Sequence, residues 1–462
     1  MAKYIFTPNS IEQLQNKYDV IIVGSGATGL VSAIQAYELG LHPVILEKMD
    51  KLGGNTNRAS SGMNAAETDV QLNNHIVDSY DEFYNDTFIG GGKTNNPELL
   101  KYFTTHAALS VNWLTEHGIN LDSLTITGGM HTRRTHRPDS MAPIGNFLVT
   151  SFLKIIEKYQ IQVFNNVKVN RLLMDNNTVN GVSLELSNGN IKSLVSKAVI
   201  LATGGFGANK EIIRKYRSDL SDYRTTNQEG ATGDGLDLAQ QIGASLVDMR
   251  EIQVHPTVYQ ETAHTYLIGE AVRGEGAILV DNQGNRFVNE LDTRQAVTDA
   301  INKDADGSAY LIFDTNVRKK VPAIEFYDMI GAVTHGSSIN NLADKLKMGS
   351  EKLSKTVDAW NQAVSSKVDS LYQRSTGMNT LLNKAPYYAI HIAPAIHYTM
   401  GGIKINHKAE VLNKHNLPIK GLFAGGEVTG GLHGNNRIGG NSIAETIVFG
   451  RQAGQQVFKY LS

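Results

Sequence analysis

Near the start of the chain, Tyr18-Asp19-Val20-Ile21-Ile22-Val23 leads directly into Gly24-Ser25-Gly26-Ala27-Thr28-Gly29. The apolar run predicts a buried parallel strand, and the helical pattern from Leu30 to Leu39 predicts that a helix follows it. The glycines have the GxGxxG spacing. In this spacing the first glycine allows a tight turn, the second lets the backbone approach a pyrophosphate, and the third permits close packing of helix on strand.

A second apolar run, Pro43–Leu46, predicts the next parallel strand of the same βαβ unit. It ends at Glu47, an acid 18 residues beyond Gly29, where a carboxylate is placed to accept hydrogen bonds from ribose hydroxyls. Because strand, glycines, helix and acid occur together in this order, they predict a dinucleotide-binding unit.

A second glycine-rich block lies near the other end of the chain. It comprises Leu422-Phe423-Ala424-Gly425-Gly426-Glu427-Val428-Thr429 and Asn436-Arg437-Ile438-Gly439-Gly440-Asn441-Ser442-Ile443. It looks like a segment that closes the same nucleotide cradle. The two blocks predict that the middle of the chain is inserted into one nucleotide-binding domain.

The composition of the 462 residues, with 41% hydrophobic and 19% charged side chains, is typical of a globular protein of two to three domains. A net charge of −2 argues against nucleic acid as a partner. The absence of cysteine excludes disulfides, cysteine-ligated iron–sulfur clusters, a thioether-linked haem and a thiol nucleophile. Residues 1–17 have no apolar core of signal-peptide type and no apolar run has membrane-spanning length, so we expect a cytoplasmic protein without a membrane span.

The cofactor predicted from these patterns is FAD rather than NAD. A flavin dinucleotide is long and draws its contacts from several distant segments, and the chain offers such segments around residues 53–64, 202–205, 427 and 442–443. The candidate cofactor-binding residues are Gly24, Ser25, Gly26, Ala27, Thr28, Gly29, Glu47, Lys48, Asn55, Thr56, Ser60, Ser61, Gly62, Met63, Asn64, Val167, Ala202, Thr203, Gly204, Asp234, Glu427, Ser442 and Ile443.

Four further motifs carry a resemblance to a known family. Leu52-Gly53-Gly54-Asn55, Ser61-Gly62-Met63-Asn64-Ala65-Ala66, Ala202-Thr203-Gly204-Gly205-Phe206 and His397-Tyr398-Thr399-Met400-Gly401-Gly402 resemble the soluble fumarate reductase flavoproteins, which group with the succinate dehydrogenase and fumarate reductase flavoprotein subunits. The resemblance extends from Tyr18 to Gly454. It implies non-covalent FAD, because membrane-bound relatives attach the flavin through a histidine and the matching loop here carries Asn55-Thr56.

The expected fold is α/β, with a Rossmann-like FAD-binding domain and an inserted α+β capping domain. Residues 1–248 and 396–462 are expected to form the FAD-binding domain, and residues 249–395 the capping, substrate-binding domain, where longer polar and helical segments begin.

The resemblance implies reduction of a C=C bond conjugated to a carboxylate, with fumarate converted to succinate by hydride transfer from flavin N5. It implies that His255 binds one carboxylate, that His397 and Arg437 bind the other, and that Gly269 and Gly440 also border the substrate. Arg294 would act both as a carboxylate ligand and as the proton donor. Glu270, which is also implied to be a substrate-binding residue, and Arg273 would resupply the proton. Their three-residue spacing puts Glu270 and Arg273 on one face if the segment is helical.

Gly269 departs from the family pattern, because fumarate-reducing members are expected to carry a threonine there. The missing hydroxyl leaves open a reductase of another 2-enoate, of the methacrylate, acrylate, cinnamate or urocanate type, although His255 and Glu270 speak against urocanate. A non-catalytic flavin-binding subunit is the other alternative. The expected partners are a small carboxylate substrate and an external electron donor, which the sequence leaves open between reduced flavin, NADH and a redox protein.

Overall fold

A computed structural model describes residues 4–186 and 188–462 of the protein. These residues form two compact units. The first unit takes in the described residues up to Ser221, together with Asn227–Ile252 and Tyr398–Ser462. The second unit consists of Asp222–Thr226 and Gln253–His397.

Strands and helices are interspersed along the described part of the chain. The strands are Lys17–Val23 (β1), Pro43–Leu46 (β2), Met63–Asn64 (β3), Ser123–Thr125 (β4), Thr135–Arg137 (β5), Gln162–Phe164 (β6), Val167–Asp175 (β7), Thr178–Leu186 (β8), Ile191–Leu201 (β9), Leu246–Val247 (β10), Ile252–Tyr259 (β11), Tyr266–Leu267 (β12), Ile278–Val280 (β13), Ala309–Asp314 (β14), Val333–Gly336 (β15), Tyr387–Thr399 (β16), Gly402–Lys404 (β17), Glu410–Leu412 (β18), Pro418–Ala424 (β19) and Thr429–Gly430 (β20).

The α-helices are Ala27–Glu38 (α1), Asp69–Asn73 (α2), Tyr80–Gly90 (α3), Pro97–Glu116 (α4), Ile144–Lys158 (α5), Lys210–Tyr216 (α6), Asp234–Gln240 (α7), Glu270–Gly274 (α8), Arg294–Asp304 (α9), Thr315–Lys320 (α10), Ala323–Met329 (α11), Ile339–Leu346 (α12), Ser350–Ser366 (α13) and Asn441–Leu461 (α14). Among residues 4–186 and 188–462, none of these helices combines the length and the apolar character needed to cross a membrane.

The first unit is built around an eight-stranded sheet in which β1 lies between β2 and β9. Both neighbours run parallel to β1, with Ile22 opposite Ile45 on one side and Ile200 on the other. All three residues are fully buried, as expected for a parallel sheet covered on both faces. The predicted βαβ unit and the α/β fold class are therefore confirmed.

The C-terminal part of the chain returns to this same sheet. Strand β19 runs parallel to β9, with Phe423 opposite Ile200. The last helix, α14, packs against α1, where the Ser32 hydroxyl donates to the carbonyl of Gly450 at 3.0 Å. Small residues permit this approach, since a Cβ at Gly450 would lie 3.0 Å from the carbonyl oxygen of Thr28. Both ends of the chain thus share one sheet and one helix layer.

The second unit contains a six-stranded sheet in the order β12-β11-β16-β14-β13, with β15 paired to β16. Helices α8 to α13 belong to the same unit, and its apolar core includes the fully buried Trp360 and Phe313. Two of its strands carry candidate site residues: His255 lies on β11 and His397 on β16.

Candidate active site

The glycines after β1 form a tight turn against the end of β9. Gly24 has a φ of +106°, and a Cβ at this position would lie 2.3 Å from the carbonyl oxygen of Ala202. A Cβ at Gly29 would lie 2.0 Å from the carbonyl oxygen of Gly24. At Gly26 the nearest atom to such a Cβ is Thr56 Oγ1, at 3.8 Å. The turn is therefore closed at its first and third glycines and open at its second, which suits a pyrophosphate at the start of α1.

The carboxylate of Glu47 is fixed at the end of β2. Its Oε2 accepts hydrogen bonds from Ser25 N at 3.0 Å and from Ser25 Oγ at 2.7 Å, and its Oε1 accepts one from Met49 N at 2.9 Å. The backbone N–H of Val167 donates to the Glu47 carbonyl at 2.9 Å. These bonds orient an acceptor where the ribose of a dinucleotide is recognised in such folds.

The loop after β2 is also held by side chains of the first unit. Asn55 Nδ2 lies 2.5 Å from Asn227 Oδ1 and 3.3 Å from Glu427 Oε2. The Thr56 hydroxyl accepts a hydrogen bond from Ala27 N at 3.1 Å. Membrane-bound relatives are expected to carry a histidine in this loop. Here Asn55 and Thr56 occupy the matching segment, and both side chains are hydrogen-bonded to other protein groups.

The remainder of this loop is tied to the glycine-rich C-terminal block. Asn64 Nδ2 donates to the carbonyl of Gly439 and to Asn441 Oδ1, both at 2.7 Å. Gly440 has a φ of +86°, and a Cβ there would lie 2.4 Å from Asn64 Oδ1. At Gly62 a Cβ would lie 2.6 Å from the carbonyl oxygen of His136.

Two further candidate residues form an ion pair. Lys48 Nζ lies 3.1 Å from Asp234 Oδ2 at the first turn of α7. Burial opposes ionisation of Asp234, but the hydrogen bond from Thr232 and the charge of Lys48 together lower the pKa of this carboxyl. At the end of β9, Thr203 Oγ1 is shielded from solvent and has no hydrogen-bond partner among the described residues. A buried hydroxyl left in this state is consistent with a bound cofactor as its partner.

In the second unit, Arg294 and Glu270 lie at the first turns of two helices, α9 and α8. Arg294 Nε donates to Glu270 Oε1 at 2.7 Å, and Arg294 Nη1 donates to Gln253 Oε1 at 2.6 Å. The Arg294 side chain is 13% exposed and that of Glu270 is 31% exposed. A guanidinium is thereby oriented by two acceptors while Glu270 keeps contact with solvent.

Arg273 lies one turn after Glu270 and is buried. Its Nη1 donates to the carbonyl of Glu290 at 2.6 Å, and within residues 4–186 and 188–462 its Nε has no hydrogen-bond partner. Burial lowers the pKa of Arg273 to about 10, although the carboxylate of Glu270 raises it, and the charge of Arg294 adds to the lowering. This arginine therefore releases a proton more readily than an exposed one.

Two histidines of the second unit lie close together. The rings of His255 and His397 meet edge to face, with centroids 5.4 Å apart. Thr257 N donates to His255 Nδ1 at 3.3 Å, and the Thr226 hydroxyl lies 2.8 Å from His397 Nδ1. The bond from Thr257 assigns the proton of the neutral His255 ring to Nε2.

Gly269 immediately precedes helix α8, which begins at Glu270. Its backbone N–H donates to the hydroxyl of Tyr327 at 3.0 Å. A Cβ at Gly269 would lie 3.5 Å from that hydroxyl, with no other atom within 4 Å. A Cβ at position 269 is therefore in ordinary van der Waals contact and needs no shift of the backbone.

Arg437 belongs to the first unit. Its Nη1 donates to the carbonyl of Ile438 at 3.1 Å and to Ser442 Oγ at 3.4 Å. Its guanidinium carbon lies 4.6 Å from the centroid of the Tyr398 ring. Arg437 is 4% exposed, so its cation is held in a largely dry environment.

A family model described as an FAD binding domain matches residues 19–443. A fumarate reductase (cytochrome) of Shewanella frigidimarina is 41% identical over 443 residues, which cover 96% of this chain and 77% of that protein. The chain belongs to the FAD-binding fumarate reductase family.

The other comparisons agree with this family. An NADH:fumarate oxidoreductase of Klebsiella pneumoniae (strain 342) is 46% identical over 96% of this chain, but the chain spans only 48% of that relative's length. The solved open conformation of a flavocytochrome c3 fumarate reductase has a TM-score of 0.84 and 38% identity, covering 97% of this chain and 79% of that one. Relatives named urocanate reductase, from Eggerthella lenta, and NADH:acrylate oxidoreductase, from Vibrio harveyi, match at 32% and 30% identity.

Sequence reasoning on this flavoprotein missed several residues that hold the candidate ones in place. Gln253 orients Arg294, Tyr327 bonds to Gly269, and Thr226 contacts His397. Gln253 lies two residues before His255 on the same strand, and this period of two signalled a shared face. Tyr327 and Thr226 are distant in sequence, and no local pattern marks them.

The basic loop 133–138 has mainly a structural role. Arg134 is fully buried and lies between Asp78, at 2.8 Å, and Asp86, at 3.1 Å. Burial lowers the pKa of His136 to about 4, so this histidine is neutral at physiological pH. Of the four basic residues of this loop, Arg133, Arg134, His136 and Arg137, only Arg133 is exposed.

Glu427 gives this flavoprotein a testable pH dependence. Burial raises its pKa to about 7, although hydrogen bonds from Thr399 and Asn55 lower it. A carboxyl that binds its proton more tightly in the folded state stabilises the folded protein at low pH. This contribution to the free energy of unfolding is lost as pH rises from the unfolded-state pKa to the folded-state pKa.

We expect the Glu427→Gln variant of the flavin-free protein to gain stability relative to wild type as pH rises from 5 to 8. The relative gain should be on the order of 3 kcal/mol, because one pKa unit corresponds to about 1.4 kcal/mol. Urea unfolding of both proteins at several pH values measures it, and the other titrating groups cancel in the difference. A difference that stays constant with pH would contradict the raised pKa.

Proposed function

We propose that this flavoprotein reduces a C=C bond conjugated to a carboxylate, with fumarate as substrate and succinate as product. The observation that carries the proposal is the ion pair of Arg294 with Glu270, braced by Gln253, in the unit that also brings His255 and His397 together. A non-catalytic flavin-binding subunit has no need for a guanidinium oriented in this way.

The first unit fits FAD. The turn closed at Gly24 and Gly29, the fixed carboxylate of Glu47 and the buried hydroxyl of Thr203 match the cradle that the cofactor requires. We propose that the cofactor-binding residues predicted from sequence hold it. Bound there, FAD would supply the hydride for the reduction.

We propose that His255, His397 and Arg437 bind the substrate's carboxylates, and that Gly269 and Gly440 border it. A cation or an N–H donor next to each carboxylate orients the substrate and draws electron density from the alkene. The proton assigned to His255 Nε2 makes that nitrogen a donor, as this role requires.

We propose that Arg294 protonates the substrate carbon. Guanidinium is a weak acid, but a carbanion that develops next to it in a dry site is more basic still. Glu270 Oε1, at 2.7 Å from Arg294 Nε, is placed to return the proton. The lowered pKa of Arg273, at about 10, makes it a suitable next member of the relay.

The first test concerns the attachment of the flavin. Because Asn55 and Thr56 lack the nucleophile of a histidyl linkage, we propose that FAD is bound non-covalently. Acid precipitation of the holoprotein should leave the yellow chromophore in the supernatant, where chromatography identifies it as FAD. Flavin retained in the pellet would contradict this.

The second test concerns the proton donor. Arg294→Ala should bind FAD and be reduced, but its re-oxidation by fumarate should slow by about 10⁴-fold, since a general acid and a carboxylate ligand are lost together. Arg294→Lys should recover little, because an ammonium cannot reproduce the planar fork. Stopped-flow flavin absorbance of the pre-reduced enzyme measures the rate.

Glu270→Gln should also be slow in this assay, while its affinity for fumarate is kept. Arg318→Ala is the matched control, since it breaks another arginine–carboxylate pair of the same unit, at 2.7 Å from Glu325. If the Arg294→Ala variant were re-oxidised by fumarate at the wild-type rate, Arg294 would not be the proton donor.

The third test concerns substrate choice at Gly269. Gly269→Thr adds a hydroxyl at a position whose Cβ would meet only the Tyr327 hydroxyl, at 3.5 Å, so fumarate affinity should rise about 3–10-fold, as for one ordinary hydrogen bond of about 1 kcal/mol. Bulkier 2-enoates should be bound more weakly. Gly274→Thr, which also enters open space, is the control. Equal affinities of Gly269→Thr and wild type for every enoate would show that position 269 does not face the substrate.

A second candidate function is reduction of another 2-enoate, of the acrylate, methacrylate, cinnamate or urocanate type. The open space at Gly269 favours this function. Relatives named NADH:acrylate oxidoreductase and urocanate reductase also support it. In either case we propose an external electron donor: reduced flavin, NADH or a redox protein.

A further inference from the structure

Three buried polar side chains of the first unit form a cluster behind Arg437. The Tyr398 hydroxyl donates to Glu445 Oε2 at 2.7 Å. His433 Nε2 lies 2.9 Å from the same oxygen. The three residues are 6%, 1% and 3% exposed, respectively. None of them belongs to the proposed carboxylate ligands or to the proton relay.

The hydrogen bonds of this cluster fix the Tyr398 ring. Burial raises the pKa of Tyr398 well above its ordinary value, and the nearby Glu445 raises it further, so the phenol stays protonated and donates. His433 Nδ1 is shielded from solvent and has no hydrogen-bond partner in the described part of the chain. The geometry therefore places the imidazole proton on Nε2, where it supports the same carboxylate oxygen.

The face of this fixed ring lies against a cation. The Arg437 guanidinium carbon is 4.6 Å from the ring centroid, and Arg437 is 4% exposed. A cation over a tyrosine face is stabilised most strongly when both are desolvated. A hydroxyl that donates to Glu445 also makes the ring more electron-rich, which strengthens the attraction.

We propose that Tyr398 is a positioning residue whose buried ring face holds the Arg437 guanidinium in the orientation that binds the substrate carboxylate. This inference rests on the proposed function, in which Arg437 is a carboxylate ligand. It assigns to the aromatic ring, rather than to its hydroxyl, the larger part in substrate affinity.

The test compares Tyr398→Leu, which removes the ring, with Tyr398→Phe, which keeps it. The probe is malonate, an inert dicarboxylate, titrated into the holoprotein with flavin absorbance as the signal. Tyr398→Leu should weaken malonate binding about 10–30-fold and raise KM for fumarate by a similar factor, with kcat changed far less. Tyr398→Phe should stay within about threefold of wild type, although both variants lose the hydrogen bond to Glu445.

The matched control is Tyr388→Leu. Arg318 lies 5.0 Å from the Tyr388 ring centroid, so this variant removes an equivalent buried ring under an arginine elsewhere. It should lower the melting temperature without changing malonate affinity. If Tyr398→Leu does not yield folded holoprotein, a series of fluorinated phenylalanines at position 398 keeps the shape, and malonate affinity should fall as fluorination increases.

Arg437→Ala separates the two levels of the argument. If it weakens malonate binding while Tyr398→Leu or the fluorinated series does not, the positioning role is overturned and the ligand role of Arg437 stands. If Arg437→Ala keeps wild-type affinity, the ligand assignment fails, and the positioning role fails with it. An equal loss in Tyr398→Phe and Tyr398→Leu would also overturn it, because the hydroxyl would then carry the effect.

Discussion

Close packing of backbone at the glycine turn after β1 is the constraint on which the first unit depends. The carbonyl of Ala202 occupies the space where a Cβ of Gly24 would lie, and the carbonyl of Gly24 occupies that of Gly29. This approach lets β9 end directly beside β1, and β19 pairs in turn with β9. The open position at Gly26 leaves the backbone N–H groups at the start of α1 accessible, which suits the binding of a phosphate there.

In the second unit the corresponding constraint is electrostatic. Glu290 is fully buried and accepts hydrogen bonds from Arg286, at 2.8 Å, and from Arg374, at 3.0 Å. Both arginines lie against the Trp360 ring, at 4.8 and 4.5 Å from its centroid. Arg374 also donates to the carbonyl of Arg273, and Arg273 donates to the carbonyl of Glu290. A buried charge is costly unless it is paired, so this network holds Arg273 in place.

The nucleotide-binding half could be predicted from sequence because its signals are local. A strand, a glycine turn, a helix and Glu47 follow one another within thirty residues, from Tyr18 to Glu47, and each has a required backbone conformation or charge. The start of the last helix at Asn441 was harder to predict from sequence. It is set by the left-handed conformation of Gly440, which packs against Asn64, a residue far away in the chain.

The candidate site could be predicted only in part. The resemblance supplied the candidate residues, but the contacts that hold them in place join residues far apart in the chain, and the sequence does not reveal these pairings. Gln253 meets Arg294 across 41 residues, and Tyr398 meets Glu445 across 47. The basic loop 133–138 has an evident pattern of charge in the sequence, but this pattern does not reveal whether its residues are exposed. Arg134 is buried between two aspartates.

The measurement that tests the central claim most directly is a steady-state comparison of 2-enoates, with the holoprotein and reduced viologen as electron donor. Fumarate, methacrylate, acrylate, cinnamate and urocanate would be supplied one at a time. We expect viologen oxidation to be fastest with fumarate, with one succinate formed for every two reduced viologens oxidised, because viologen donates one electron and the reduction takes two. A protein that turns over none of the five, or that reduces another enoate with a higher kcat/KM than fumarate, would contradict it.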